Sequence, residues 1–89
     1  MAIVHFTSNL RRHVDCPSLE AQGQTVREIL NAAFISNPRL ETYVLDDQRV
    51  LRKHMRILVD GHAIKDLEKQ SDAVAPASEV WVMQALSGG

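Results

Sequence analysis

The stretch Glu79-Val80-Trp81-Val82-Met83-Gln84-Ala85-Leu86 is a run of β-branched, aromatic and aliphatic residues with little polar interruption, and it leads directly into Ser87-Gly88-Gly89. Such a run predicts a strand, and apolar side chains at both parities predict one buried on both faces, as at the centre of a sheet. Glycine has no Cβ and reaches φ values closed to other residues. A Gly-Gly end on a stiff central strand therefore suits presentation of a backbone carboxylate to a narrow channel in another protein. A frayed terminus would show the same composition. Leu86, leaving the strand, is either a cap on the core or an aliphatic anchor for a partner. Trp81 and Met83 share one face of the strand and Val80 and Val82 the other. One face packs under a helix, and the other, where exposed, is a docking patch.

Working outward, residues 2–7 alternate and are β-rich, which predicts a first strand, with a turn at Ser8 and Asn9. Pro17 interrupts the following loop, and a short edge strand is expected over 18–21. Thr25 and Glu28 form a capping-box pattern that opens a helix over 25–34. Val26, Ile29, Leu30, Ala33 and Phe34 fall on one stripe of that helix, which is expected to pack on a sheet. Asn37-Pro38 stops it, because the residue before proline is pushed out of the α region.

Farther along, residues 43–45 and 49–51 flank Asp46-Asp47-Gln48 as a hairpin. A strand is expected over 55–59, and Asp60-Gly61 is a two-residue turn into 62–64. Residues 67–74 read as one irregular helical turn, and 75–78 as the loop before the last strand. First and last strands can lie side by side at the centre of a mixed sheet with one main helix on one face. The class is α+β.

The chain has 89 residues, 45% hydrophobic and 24% charged, with a net charge of −1. It is sized for one domain with one modest core. That charge supplies no long-range field favouring nucleic acid or an anionic membrane, so neither is an expected partner. The start Met1-Ala2-Ile3-Val4-His5-Phe6 lacks the pattern of a signal peptide, and no run approaches membrane-spanning length. The single cysteine, Cys16, fits a reducing compartment, and the expected location is cytoplasmic.

Side-chain chemistry is sparse. Cys16 has no identifiable activating partner, His13 and Cys16 lack a second pair to complete a metal site, and His5, His54 and His62 are scattered. No metal is expected. Asp46 and Asp47 are explained by turn propensity. Arg49, Arg52, Lys53 and Arg56 read as a solvated face, with docking to an acidic partner rim as a further reading. No catalytic constellation appears, so the chain is not expected to be an enzyme.

Four features together resemble the sulfur-carrier branch of the ubiquitin-like β-grasp proteins, the ThiS/MoaD type. They are the helix over 25–34, the segment Met55-Arg56-Ile57-Leu58-Val59-Asp60-Gly61, the strand over 80–83, and Leu86-Ser87-Gly88-Gly89. Together with Leu51-Arg52-Lys53-His54, the middle segment looks most like the longer carriers that include the cysteine-biosynthetic one. Gln84 stands where many carriers have proline, and Ser87 where they have alanine.

The resemblance implies a β-grasp domain over 1–85 and a flexible tail over 86–89. It implies that Gly89 is the sulfur-carrying residue, its carboxylate adenylated and then converted to a thiocarboxylate, with Gly88 and Ser87 required for activation and Leu86, Trp81 and Met83 contacting the partner. The implied partners are an E1-like, ThiF/MoeB-type adenylating enzyme that uses ATP, a sulfur donor, and a downstream sulfur-accepting enzyme. The carrier itself binds no cofactor. The alternative is a ubiquitin-like modifier joined through Gly89 to lysines of target proteins.

Overall fold

The computed structural model describes residues 1–6 and 18–84. The expected turn at Ser8 and Asn9, the side chains of His13 and Cys16, and the tail residues Leu86, Ser87, Gly88 and Gly89 lie outside the described residues. Helix α1, Val26–Ser36, forms where the apolar stripe foretells it: Val26, Ile29, Leu30, Ala33 and Phe34 are all buried. Thr25 is its N-cap, its side chain accepting from the Glu28 amide at 3.3 Å. The Glu28 carboxylate reaches one residue farther back than a standard capping box, accepting from the Gln24 amide at 2.9 Å. That reach depends on Gly23, since a Cβ there would stand 2.8 Å from Cβ of Glu28. Asn37 caps the far end, immediately ahead of Pro38.

A second helix, α2, Arg39–Val44, replaces the first arm of the expected hairpin. Pro38 presets a helical φ of −59°, and Leu40 and Val44, four residues apart, are both buried. The hairpin shrinks to one antiparallel bridge between Leu45 and Leu51. Its turn is held by Asp46, whose Oδ1 accepts from the amides of Gln48 at 2.8 Å and Val50 at 3.0 Å.

Five strands make the sheet: β1 Ala2–Phe6, β2 Leu19–Ala21, β3 Met55–Val59, β4 His62–Ala63 and β5 Glu79–Gln84. Their order is β2-β1-β5-β3-β4. First and last strands pair in parallel at the centre, as expected, with Val4 opposite Val80 and Phe6 opposite Val82. The other pairings are antiparallel. Asp60 and Gly61 turn β3 into β4 with φ of 50° and 87°, the left-handed values such a turn demands.

One expectation fails at β5. It is central, but it is buried on one face only: Val80 and Val82 are fully enclosed, while Glu79 and Trp81 are exposed. Apolar residues at both parities reflect a core side and an uncovered apolar side, because α1 and α2 cover a single face of the sheet.

The expected irregular helical turn within 67–74 is present at its start, where the Gln70 amide donates to the Asp66 carbonyl at 3.0 Å, and a bridge from Ala73 to Thr25 follows. Side-chain bonds to the backbone cap that turn and hold the segment after it. Asp72 accepts from the amides of Lys65 at 2.9 Å and Asp66 at 2.8 Å, and Asp66 accepts from Lys69 at 3.0 Å. Gln70, with φ of 51°, has no exposed surface. Its Oε1 accepts from Arg27 Nε at 2.7 Å, and its Nε2 donates to the carbonyls of Leu67 at 2.7 Å and Arg49 at 3.3 Å. One amide thus ties α1 to two loops, and its own buried polar atoms are all met.

A comparable clasp opens β5. Asp60 accepts from the Glu79 amide at 2.9 Å and from Ser78 Oγ at 2.8 Å, and its own amide donates back to the Glu79 carbonyl at 2.9 Å. The buried Ser78 also takes the Ile3 amide on its carbonyl at 3.0 Å. The Glu79 amide, then Ser78, hold the Asp60 carboxyl below its ordinary value near 3.8. Ser71 does the same for Asp66, and the Lys65 and Asp66 amides for Asp72.

Thr25→Ala should lower stability by about 1 kcal/mol in urea denaturation, through loss of the cap. The three aspartates titrate at lower pH folded than unfolded, so their contribution is complete above about pH 5 and is lost as pH falls through the lowered folded values. Urea midpoints should therefore drop as the solution is acidified below about pH 4, and Asp72→Asn should flatten that slope.

Candidate functional site

Strand alternation sends every second side chain of the three central strands away from the helices. On β1 these are Ile3 and His5, on β5 Glu79, Trp81 and Met83, and on β3 Arg56 and Leu58. Trp81 sits in the middle, opposite His5 on one side and Leu58 on the other. It keeps 38% of its surface exposed, while Met83 and Leu58 are half-buried. The result is an apolar patch on an uncovered sheet face, the kind of surface that marks a protein contact.

The patch is stiffened at one edge. The His5 ring stacks on Trp81 with centroids 4.3 Å apart and planes inclined by 21°. His5 Nε2 lies 3.1 Å from the Glu79 carboxylate, which can only accept, so Nε2 carries a proton there. Nδ1 lies 3.1 Å from Ser18 Oγ. The imidazole is thereby clamped from both sides, and the indole face rests on a fixed ring. Sequence reading points to Trp81 and Met83 but misses His5, Ser18 and Leu58. The available signal is parity: once β1 and β5 are paired in parallel, His5 must lie beside Trp81.

The described part of β5 ends at Gln84, opposite Met55, the first residue of β3. Ala85 to Gly89 come next in the sequence. Leu86, Ser87, Gly88 and Gly89, assigned to the tail site, lie outside the described residues, so the structure brings only Trp81 and Met83 of the expected site residues together.

Arg49, Arg52, Lys53 and Arg56 are exposed, as expected for a solvated face. Arg49 pairs loosely with Glu41 at 3.8 Å. Among the described residues no three His, Cys, Asp or Glu side chains gather where a metal could sit, and no helix is long and apolar enough to cross a membrane.

A mixed five-stranded sheet with parallel first and last strands at its centre, grasping one main helix on a single face, is the ubiquitin-like β-grasp. Solved structures align on that basis. SAMP1 from Haloferax volcanii aligns with a TM-score of 0.79 at 24% identity, over 99% of this chain and 98% of that one. The small archaeal modifier protein 1 from Methanosarcina acetivorans aligns with a TM-score of 0.82 at 23% identity, over 99% of this chain and 95% of that one. The Amycolatopsis orientalis BexX/CysO complex contains a chain aligning with a TM-score of 0.83 at 20% identity, over the whole of both chains. At these identities the likeness is one of fold.

The family is set by sequence: a model of the ThiS family matches residues 4–89, and the chain belongs to that family. By class it is a ubiquitin-like β-grasp protein of the ThiS family. No curated protein matches it closely enough to count as a relative.

The two faces of β3 offer a direct check. Ile57→Ala, on the covered side, should cost about 2–5 kcal/mol in urea denaturation. Leu58→Ala and Trp81→Ala, on the open side, should each cost under about 1 kcal/mol. A Trp81→Ala variant that fails to fold would show this face to be part of the core.

Proposed function

We propose that the chain is a sulfur carrier whose working group is the Gly89 carboxylate. The observation that carries this reading is the family match, which runs through Gly88 and Gly89. The covered half of the sheet supports it by giving β5 a rigid base up to Gln84. The open face supports it by offering Leu58, Trp81 and Met83 as a surface on which an E1-like, ThiF/MoeB-type adenylating enzyme docks.

In the chemistry proposed, a carboxylate oxygen of Gly89 attacks the α-phosphorus of ATP in the partner's site and pyrophosphate leaves. The mixed anhydride makes the carbonyl carbon electrophilic. A sulfide-level donor then attacks that carbon and the C–O bond to AMP breaks, giving a thiocarboxylate and AMP. Its sulfur is largely ionised at neutral pH and strongly nucleophilic, as thiolates are beside thiols, and it passes to a downstream sulfur-accepting enzyme. The carrier contributes no side-chain acid or base. Its part is positional: residues 88 and 89 lack side chains, so a tight channel can close around the backbone. ATP belongs to the activating partner, and the setting proposed is the cytoplasm.

A second reading, a modifier conjugated through Gly89 to lysines, is favoured by the alignments with SAMP1 proteins, whose full name is small archaeal modifier protein 1. Both readings begin with the same adenylate and diverge in its fate, attack by sulfur in one and by a lysine amine in the other.

Incubation with ATP, a ThiF/MoeB-type enzyme and a sulfide donor should raise the intact mass by one oxygen-to-sulfur exchange. Deleting Gly88 and Gly89 should abolish that shift without altering the melting temperature. Gly89→Ala should slow adenylation, and Trp81→Ala should raise the KM for the carrier by about tenfold or more. Isopeptide-linked adducts in cells with no mass shift on the free protein would favour the modifier.

A further inference from the structure

Beside β3, the segment before it and the segment after β4 leave a trench of about 380 Å³. Leu51, Ile64 and Leu67 supply apolar surface along it, and Arg52, Lys53 and Arg56 stand around it. A second groove of about 400 Å³ shares Leu51, Arg52 and Lys53 with the first.

Leu67 is the informative side chain. It keeps 47% of its surface exposed, yet its backbone is pinned, its carbonyl accepting from the Leu51 amide at 2.9 Å and from Gln70 Nε2 at 2.7 Å. An aliphatic group held at the lip of an apolar trench is costly to leave wet and is already ordered for a partner, so little entropy is lost when one binds.

The charge around the trench is one-sided. No Asp or Glu lines the first groove. Among the described residues none of Arg52, Lys53 and Arg56 has a carboxylate partner. Arg52 Nε donates to the Thr42 carbonyl at 2.7 Å, and Arg56 Nη1 to the carbonyls of Lys53 at 3.1 Å and Met55 at 2.9 Å. Those bonds fix the guanidinium groups without neutralising them. The nearby carboxylates keep their charge but are held by other groups and do not line the first groove: Asp66 by Lys69 and Ser71, and Asp46, which lines the second groove, by the amides of Gln48 and Val50.

We propose that this trench is a second docking site, for an acidic segment of a partner protein that seats one aliphatic side chain on Leu51, Ile64 and Leu67 and lays carboxylates against Arg52, Lys53 and Arg56. No Phe, Tyr or Trp lines either groove, so the large stacking platforms that hold nucleic-acid bases are missing. The two sites meet at Arg56, which lines this trench and lies opposite Met83 on β3. The inference is independent of the chemistry at Gly89.

The test uses the full chain, isotope-labelled for NMR, titrated with a blocked peptide of alternating glutamate and leucine. Saturable shifts should map to Leu51, Lys53, Ile64 and Leu67 and not to His5 or Trp81. Leu67→Glu, at an exposed position where circular dichroism should show an unchanged fold, should weaken binding at least about tenfold. Lys53→Glu should weaken it less and reduce its salt dependence, and a peptide of lysine and leucine should not bind. Absence of binding, shifts centred on Trp81 and Met83, indifference to Leu67→Glu, or stronger occupancy by a single-stranded oligonucleotide would each overturn the proposal.

Discussion

The parallel pairing of β1 with β5 is the constraint on which the remaining architecture depends. It brings the first and last strands of the chain together at the centre of the sheet, where their core-facing residues Val4, Phe6, Val80 and Val82 form a common buried surface. Long-range contacts of this kind are entropically expensive to close, and the burial of α1 against that surface offsets the cost. With one helical layer available, only one face can be covered. The uncovered face and its tryptophan are therefore products of the architecture.

Much of this arrangement is legible in the residues. The stripe Val26, Ile29, Leu30, Ala33 and Phe34 gives α1 its burial face, Thr25 its start and Asn37-Pro38 its end. Asp60-Gly61 announces the turn it makes, because few other pairs tolerate two left-handed residues in succession. Sequence misleads where tertiary context decides. Tyr43 and Val44 look like strand residues, yet Pro38 and the spacing of Leu40 and Val44 make them helical. Residues 67–74 hold the one helical turn their pattern suggests, but only at the start, where the Asp66 carboxylate caps it. At β5, apolar residues at both parities cannot distinguish a second core from an exposed patch, since both look the same in one dimension.

The candidate site divides along the same line. Gly88 and Gly89 are proposed from sequence alone, because the chemistry assigned to them is that of the backbone and needs no partner side chain. His5 and Leu58 belong to the open face only through strand pairing, which no local pattern announces. The trench beside Leu51 and Leu67 is assembled from two loops on either side of β3 and β4, so its basic residues read in sequence as an ordinary solvated face.

The clasp of Asp60, Ser78 and Glu79 decides how the molecule chooses between two near-degenerate packings. Because β5 is apolar on both sides, a slip of one residue against β1 and β3 would still bury hydrophobic groups, but it would turn Trp81 and Met83 inward and expel Val80 and Val82. Hydrophobicity alone discriminates weakly between those registers. The clasp discriminates strongly, since the Asp60 carboxylate finds both the Glu79 amide and the Ser78 hydroxyl in only one of them. A polar key at the strand's entrance thus selects which of its two greasy sides the world sees.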